Sequence, residues 1–453
     1  MDILLYLSTT VFFGLYVFKI FKQNNINAFS IFLFLIFFVY LVIPTLVFIL
    51  GSDYQDKYPI IGNIFSSNVS ERLKSLIYIF MFTLSAIIFY RITPISSNQN
   101  FNYTKYIKSK IYNKAKIIGF LMLSIGLLGF FYMTYNLGGV SSLLKFSGSF
   151  RGEGSYEFVA GSMLSYAVIL SRALLGAVYP LILIYELKKK KSVILLILFS
   201  LIVGTVYLIF NAGKLQVIIY FIPLFLYLAN KIGNMRNKII FYMGIALIIF
   251  WLIPKMDSLF YYMTHGIFLS SFKDDWDFMD NIMGLIGSFT YPFSNLIIAD
   301  NMNELYGMRF GLDFIVPFIN IFPNKVLATF GISEITTLYK YTSVYYQSFV
   351  PGFLETAGVP NDIISLAFRQ FSYPSLILVG GILGVLMKHL DNAILTLKKL
   401  GREFENLLYT NTMVIIPMLF LEPYSALTAY YHIFISLVLT FYIHRLLKIN
   451  KKK

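Results

Sequence analysis

The chain of 453 residues contains no cysteine, which excludes disulfides, a thiolate nucleophile and thiolate metal sites. Charge is scarce as well: 13% of residues are Asp, Glu, Lys or Arg, about half the share of an average soluble domain. No P-loop, no GxGxxG after a strand, no HExxH and no GxSxG occurs. The four histidines (His265, His389, His432 and His444) are too scattered to form a metal-ligand pattern. Hydrocarbon takes the place of charge. Apolar residues make up 58% of the chain and aromatic ones 18%, with 46 Phe and 34 Tyr. One soluble core cannot hide that surplus, and the same numbers exclude a disordered chain. The class expected is an all-α polytopic membrane protein.

Apolar runs predict eleven spans, at roughly 3–21, 28–50, 73–92, 117–135, 162–186, 192–210, 215–230, 238–254, 373–390, 407–421 and 426–446. Only Asp2 precedes the first run, and no small-residue cleavage site follows it. A retained helix is expected there, not a signal peptide. The alternate short connections and the C-terminal tail carry 24 of the 37 basic residues, including Lys105, Lys108, the run 188–191, Lys398 and Lys399. Only four acids accompany them: Glu186, Asp391, Glu403 and Glu405. The positive-inside rule places this set in the cytoplasm, the N-terminus outside and the C-terminus inside. The net charge of +15 is then a cytoplasmic fringe against anionic lipid, not a nucleic-acid surface. The linear organisation is 1–254 with eight spans, 255–372 as one large external loop, and 373–453 with three more. A structureless loop of about 118 residues is improbable. Its apolar stretches 284–298 and 310–322 are interrupted by Pro292, Asp313 and Pro317, which suits interfacial or re-entrant helices.

A few charged residues stand out. Arg172 lies inside the apolar run 163–185, where a cation must face a partner or an anion-binding cavity. Lys214 follows Gly213 in a tight turn between two spans and can meet phosphate there. Arg151 lies in SFRGEG (149–154), with glycine on both sides of it, in a loop able to close over a ligand. The long loop adds Arg309, Lys325, Glu355, Asp313 and Arg369, the last just before a membrane helix, where a planar cationic fork suits phosphate oxygens. Asp274, Asp275 and Asp277 read as a solvated helix start and not as a metal site. Tyr339, Tyr341, Tyr345, Tyr346, Phe349 and Phe353 fit either an interfacial belt or a stacking surface for sugars.

The layout resembles the Wzy-type O-antigen and capsular polysaccharide polymerases of the polymerase–ligase group of membrane glycosyltransferases. The likeness rests on the Gly213–Lys214 turn between middle helices and on the dominant late loop. It also rests on PFINIFPNK (317–325), the Gly-rich SLILVGGILGV (375–385), and the spacing of Arg369 to Gly380. The sequence departs from the pattern in that Arg151 to Gly161 is one residue short and Lys214 stands where Arg is common. The resemblance implies a cofactor-free and metal-free transfer at the outer face of a bacterial inner membrane. A growing glycan on undecaprenyl pyrophosphate moves to a sugar hydroxyl of the next lipid-linked repeat unit. Arg369 would act on the leaving pyrophosphate, with Glu355 as the paired catalytic carboxylate and Glu422, Asp313 or His265 as other candidate bases. Arg151, Arg172, Lys214, Arg309 and Lys325 would bind substrate. Implied partners are the lipid-linked oligosaccharide, membrane lipid, and flippase and chain-length regulator proteins, with no nucleic acid.

Two alternatives stay open. A ligase that passes the finished glycan to another acceptor would use the same chemistry. A lipid-linked oligosaccharide flippase belongs to another class, and two related halves with even loops would mark it.

Overall fold

The computed structural model describes residues 2–24, 27–94, 105–145, 163–211, 214–232, 236–237, 240–245, 247, 278–319, 322, 324–331, 342–347, 349, 361–421, 423, 426 and 430–450. Every regular element among them is a helix. In chain order α1 is Asp2–Asn24, α2 Ala28–Leu50, α3 Pro59–Ser66, α4 Val69–Ile92, α5 Lys105–Asn136 and α6 Val140–Lys145. Then come α7 Met163–Ser171, α8 Ala173–Lys188, α9 Lys191–Asn211, α10 Lys214–Lys231, α11 Phe278–Ser288 and α12 Tyr291–Tyr306. The C-terminal part holds α13 Leu312–Ile319, α14 Asn324–Thr329, α15 Thr342–Gln347, α16 Ile363–Phe371, α17 Tyr373–Leu400, α18 Glu405–Met413, α19 Ile415–Phe420 and α20 Tyr431–Asn450.

Seven of these are long and apolar enough to cross a membrane, within α1, α2, α4, α5, α7–α8 (Tyr166–Lys188), α9 and α17. The bent pair α11 and α12, at 47°, makes an eighth if it is one broken span. That is compatible with a multi-pass membrane protein, and the expected count of eleven is not reached among the described residues. Gln216–Lys231 and Tyr431–Leu447 are apolar but shorter. The expected span at 407–421 is two short helices that meet at Val414, and most of 238–254 lies outside the described residues. Pro292 sits in the first turn of α12, where its missing N–H costs nothing.

By packing, the chain forms two units. The first comprises Met1–Ile95, Trp276–Asp391 and Ile415–Leu427; the second comprises Ser96–Asp275, Asn392–Val414 and Thr428–Lys453. In the first, α17 lies against α4 at very close range. A Cβ at Gly380 would fall 2.4 Å from the Phe82 carbonyl oxygen, and one at Gly384 2.3 Å from that of Ala86. The glycine-rich stretch thus has a packing reason, since it lets two backbones touch as small residues do between membrane helices. Asp391 near the far end of α17 accepts the Ala28 N–H at 2.5 Å and the Tyr90 hydroxyl at 2.8 Å. It thereby holds the orphan donors at the start of α2.

Helix α2 contains a π-turn at Phe38–Val42. Pro44, two residues on, offers no N–H and would crowd the carbonyl four residues back, which a widened turn relieves. That carbonyl belongs to Tyr40, whose side chain enters the polar centre of the first unit. In the second unit, α5, α8 and α9 bury a core that includes Leu174, Leu175, Val178 and Tyr207.

Candidate functional site

The polar centre of the first unit is built on α16. Its sequence, IISLAFRQF, is short, yet the residues 363–370 are all buried, including Ser365, Arg369 and Gln370. Asp362 starts the helix. It has extended backbone angles, and its carboxylate accepts the N–H groups of Ile364 and Ser365 at 3.1 and 3.0 Å, as an N-cap does. The same carboxylate takes the Ser365 hydroxyl at 2.5 Å, the Tyr40 hydroxyl at 2.6 Å and the Asn295 amide at 3.5 Å. Burial nevertheless dominates and pushes the Asp362 carboxyl above its ordinary value.

Seven residues later, on the same face of the helix, lies Arg369. Its side chain is fully buried. Nη1 donates to the Asn303 side-chain oxygen and to the Gly307 carbonyl at 3.0 Å. Nε and Nη2 have no hydrogen-bond partner among the described residues. Burial pulls the guanidinium below its ordinary value, with some compensation from Asp313 and added repulsion from Arg309. A guanidinium has five N–H donors in a fixed fork, and this one is only partly used.

The chain at 307–313 wraps the C-terminal end of α16. Gly307 and Gly311 have φ of +71° and +85°, and Phe310 adopts φ +51°, a conformation that is costly without glycine. The turn brings the Arg309 N–H to the Arg369 carbonyl at 2.9 Å and the Phe310 N–H to that of Gln370 at 3.0 Å. Gln370 donates to Asp313 at 2.8 Å and accepts from the Gly311 N–H at 3.0 Å. Asp313 also receives the Thr342 hydroxyl at 2.8 Å, and Arg309 Nε stands 3.6 Å from it. The Arg309 guanidinium lies 5.5 Å over the Tyr345 ring, within cation–π range. Two arginines thus share one neighbourhood with the Asp313 carboxylate. Next along the chain, α13 and α14 flank an apolar trough of about 540 Å³, lined by residues that include Phe314, Phe318, Phe322, Leu327 and Phe330.

Of the residues singled out in the sequence, Arg369, Arg309 and Asp313 come together here. Lys325 lies in α14 and Lys214 begins α10. Arg172 belongs to the second unit, where α7 meets α8 inside the Tyr166–Lys188 span, as expected; its Nε donates to the Tyr207 hydroxyl at 2.9 Å. Arg151, Glu355, Glu422, His265, the aspartates at 274, 275 and 277, and Tyr339, Tyr341 and Phe353 lie outside the described residues. Sequence reading passed over Asp362, Asn303, Gln370 and Tyr40. Asp362 carried a usable signal, an Asp directly before an apolar helix. The others are polar residues with no pattern of their own.

No protein-family model, curated protein or solved structure matches the chain.

Proposed function

We propose that the protein polymerises undecaprenyl-pyrophosphate-linked oligosaccharide repeat units into a surface polysaccharide, O-antigen or capsule, at the outer face of a bacterial inner membrane. The observation that carries this reading is the Arg369 guanidinium, buried with two nitrogen donors unspent among the described residues. A buried cation with spare donors is expensive unless an anion completes it. Phosphate oxygens match the planar fork. The apolar trough, whose first lining residue Phe314 follows Arg309 and Asp313 closely in the chain, adds support, because a lipid-linked pyrophosphate needs an anion site and a hydrocarbon surface.

The acceptor sugar hydroxyl attacks the anomeric carbon of the donor glycan. The new carbon–oxygen bond forms as the bond to pyrophosphate breaks, and undecaprenyl pyrophosphate leaves with the electron pair. Arg369 and Arg309 stabilise the charge that grows on the leaving oxygen. The hydroxyl proton passes to a carboxylate, for which Asp313 and Glu355 are the candidates. Arg151, Arg172, Lys214 and Lys325 remain candidates for holding the rest of the two lipid-linked substrates. No nucleotide is needed, since the pyrophosphate linkage supplies the driving force.

Deletion in the native host, with the surface glycan resolved on a gel, tests the reading. Single repeat units without a ladder are the expected result. Long chains left unattached to their final acceptor would indicate the ligase instead, and an unchanged ladder would remove both.

A further inference from the structure

The second unit carries a charged arrangement that the proposed transfer does not use. Helices α8 and α9 are joined by a turn bearing four successive lysines, Lys188, Lys189, Lys190 and Lys191. The turn closes with Lys189 in the left-handed region at φ 51°, unusual for a residue with a Cβ. One turn earlier, Glu186 is buried in the end of α8. Its carboxylate accepts from the Tyr227 hydroxyl, from Lys189 Nζ, and from Lys231 Nζ at 2.9 Å. The ammonium groups are also placed over rings: Lys188 lies 3.8 Å from the Tyr112 centroid, Lys189 5.0 Å from that of Tyr185, and Lys231 5.1 Å from that of Tyr227.

Lysines that serve only to orient a membrane protein need no such arrangement, because their side of the membrane is all that counts. A carboxylate buried at a helix end costs desolvation, and here it fixes two of the five lysines while the rings fix a third. Five ammonium groups outnumber the carboxylates around them, Glu186 and, acting on Tyr227 from α18, Glu405, so the turn keeps a positive surplus. The first turn of α9 contains no acid to offset its positive helix end. Directly below the lysines, α9 exposes Ile194, Leu195, Leu198, Phe199 and Ile202, a hydrocarbon face continuous with the cationic turn.

We infer that this turn is a binding site for an anionic phospholipid with two phosphates in its headgroup, whose acyl chains lie along α9. Two phosphates, each with one negative charge, offset more of this positive surplus than one would and can meet ammonium groups at both ends of the turn, and the apolar face of α9 selects a lipid over a free phosphate. The site is independent of the glycan reaction.

Native mass spectrometry of the full chain, released from nanodiscs and titrated with cardiolipin, phosphatidylglycerol or phosphatidylethanolamine, tests the inference. Cardiolipin is expected to bind at least tenfold more tightly than phosphatidylethanolamine and more tightly than phosphatidylglycerol. The double variant Lys190→Gln, Lys191→Gln should lose at least tenfold in cardiolipin affinity. Should that variant fail to insert, Lys188→Gln alone, with topology checked by reporter fusion, should still lose severalfold. Equal retention of all three lipids, unchanged affinity in a correctly inserted variant, or displacement of cardiolipin by inorganic pyrophosphate at equal concentration would each overturn it.

Discussion

The two units treat buried charge in opposite ways. In the second, Glu186 has all it needs: three donors converge on it, two of them cations. In the first, Arg369 is buried more completely yet leaves Nε and Nη2 unmatched among the described residues. A buried charge that its own chain satisfies is part of the frame, whereas one left incomplete is what the proposed anion site would complete. The contrast matters because charge at such depth is costly in either place. For the buried group itself only the incomplete case leaves donors over; the satisfied Glu186 instead fixes the lysines around it.

Variants at the two arginines sharpen that contrast, and the largest effect is expected at Arg369. Removing one charge-assisted contact to a transition state costs about 3 kcal/mol, or roughly 10²-fold in rate. Arg369→Ala should therefore nearly abolish polymer made from purified lipid-linked repeat units. Arg369→Lys keeps the charge and loses the fork, so it should recover only part of the rate. Wild-type turnover from Arg369→Lys would sink the catalytic role. Arg172 serves as the comparison in the second unit. Its Nε is already engaged by Tyr207, so Arg172→Lys should lower the yield of folded protein more than turnover per folded molecule. A fall in turnover at full yield would place it among the substrate-binding residues.

A second break in the comparison concerns packing alone. Helix α17 leads out of α16 with only Ser372 between them, and its glycine face sets how α16 enters the first unit. A side chain at Gly384 would meet the Ala86 backbone, and backbone cannot give way as a flexible side chain can. Overpacking of this kind costs about 1–3 kcal/mol. Gly384→Leu should lower the thermal midpoint by several degrees, measured in detergent. Gly244, whose Cβ would have no described atom within 4 Å, should tolerate alanine with a much smaller change.

The membrane helices were readable from sequence because a span is local: about twenty apolar residues suffice, whatever lies elsewhere. The failures follow from the same logic. At 407–421 the apolar run is real but Val414 breaks it, whereas the helix pair bent by 47° at 278–306 is either one broken span or the re-entrant piece expected there. Within the site, Arg369, Arg309 and Asp313 were legible because charge is conspicuous in a chain that has so little. Their partners were not. Tyr40 reaches Asp362 across 322 residues of chain, and Asn303 reaches Arg369 across 66; nothing local in either stretch announces the pairing. The Gly-rich stretch 375–385 was noticed as a motif, and its cause, contact with α4, is tertiary.

The smallest effect expected is a pH dependence at Asp362, and its sign is opposite to that of an ordinary buried carboxylate in an ion pair. Burial raises the folded-state pKa of Asp362 above the ordinary 3.8, so the folded chain keeps this proton at pH values where the unfolded chain has lost it. The native state then binds more protons than the unfolded state, and the contribution of this group to stability falls as pH rises from near 3.8 through its raised value. Asp362→Asn removes the titration but leaves an oxygen to accept from the Ile364 and Ser365 N–H groups and from Tyr40. The wild type should therefore be the more stable at low pH, by a few degrees at most. Its advantage should shrink as pH increases toward neutrality. Tyr40→Phe removes the 2.6 Å donor and should steepen the wild-type trend, since one bond favouring the ionised carboxylate is gone. Thermal denaturation of the three proteins in detergent from pH 4 to 8 separates these cases. A gap between wild type and Asp362→Asn that stays constant across that range would show that the carboxylate does not carry its proton in the folded state.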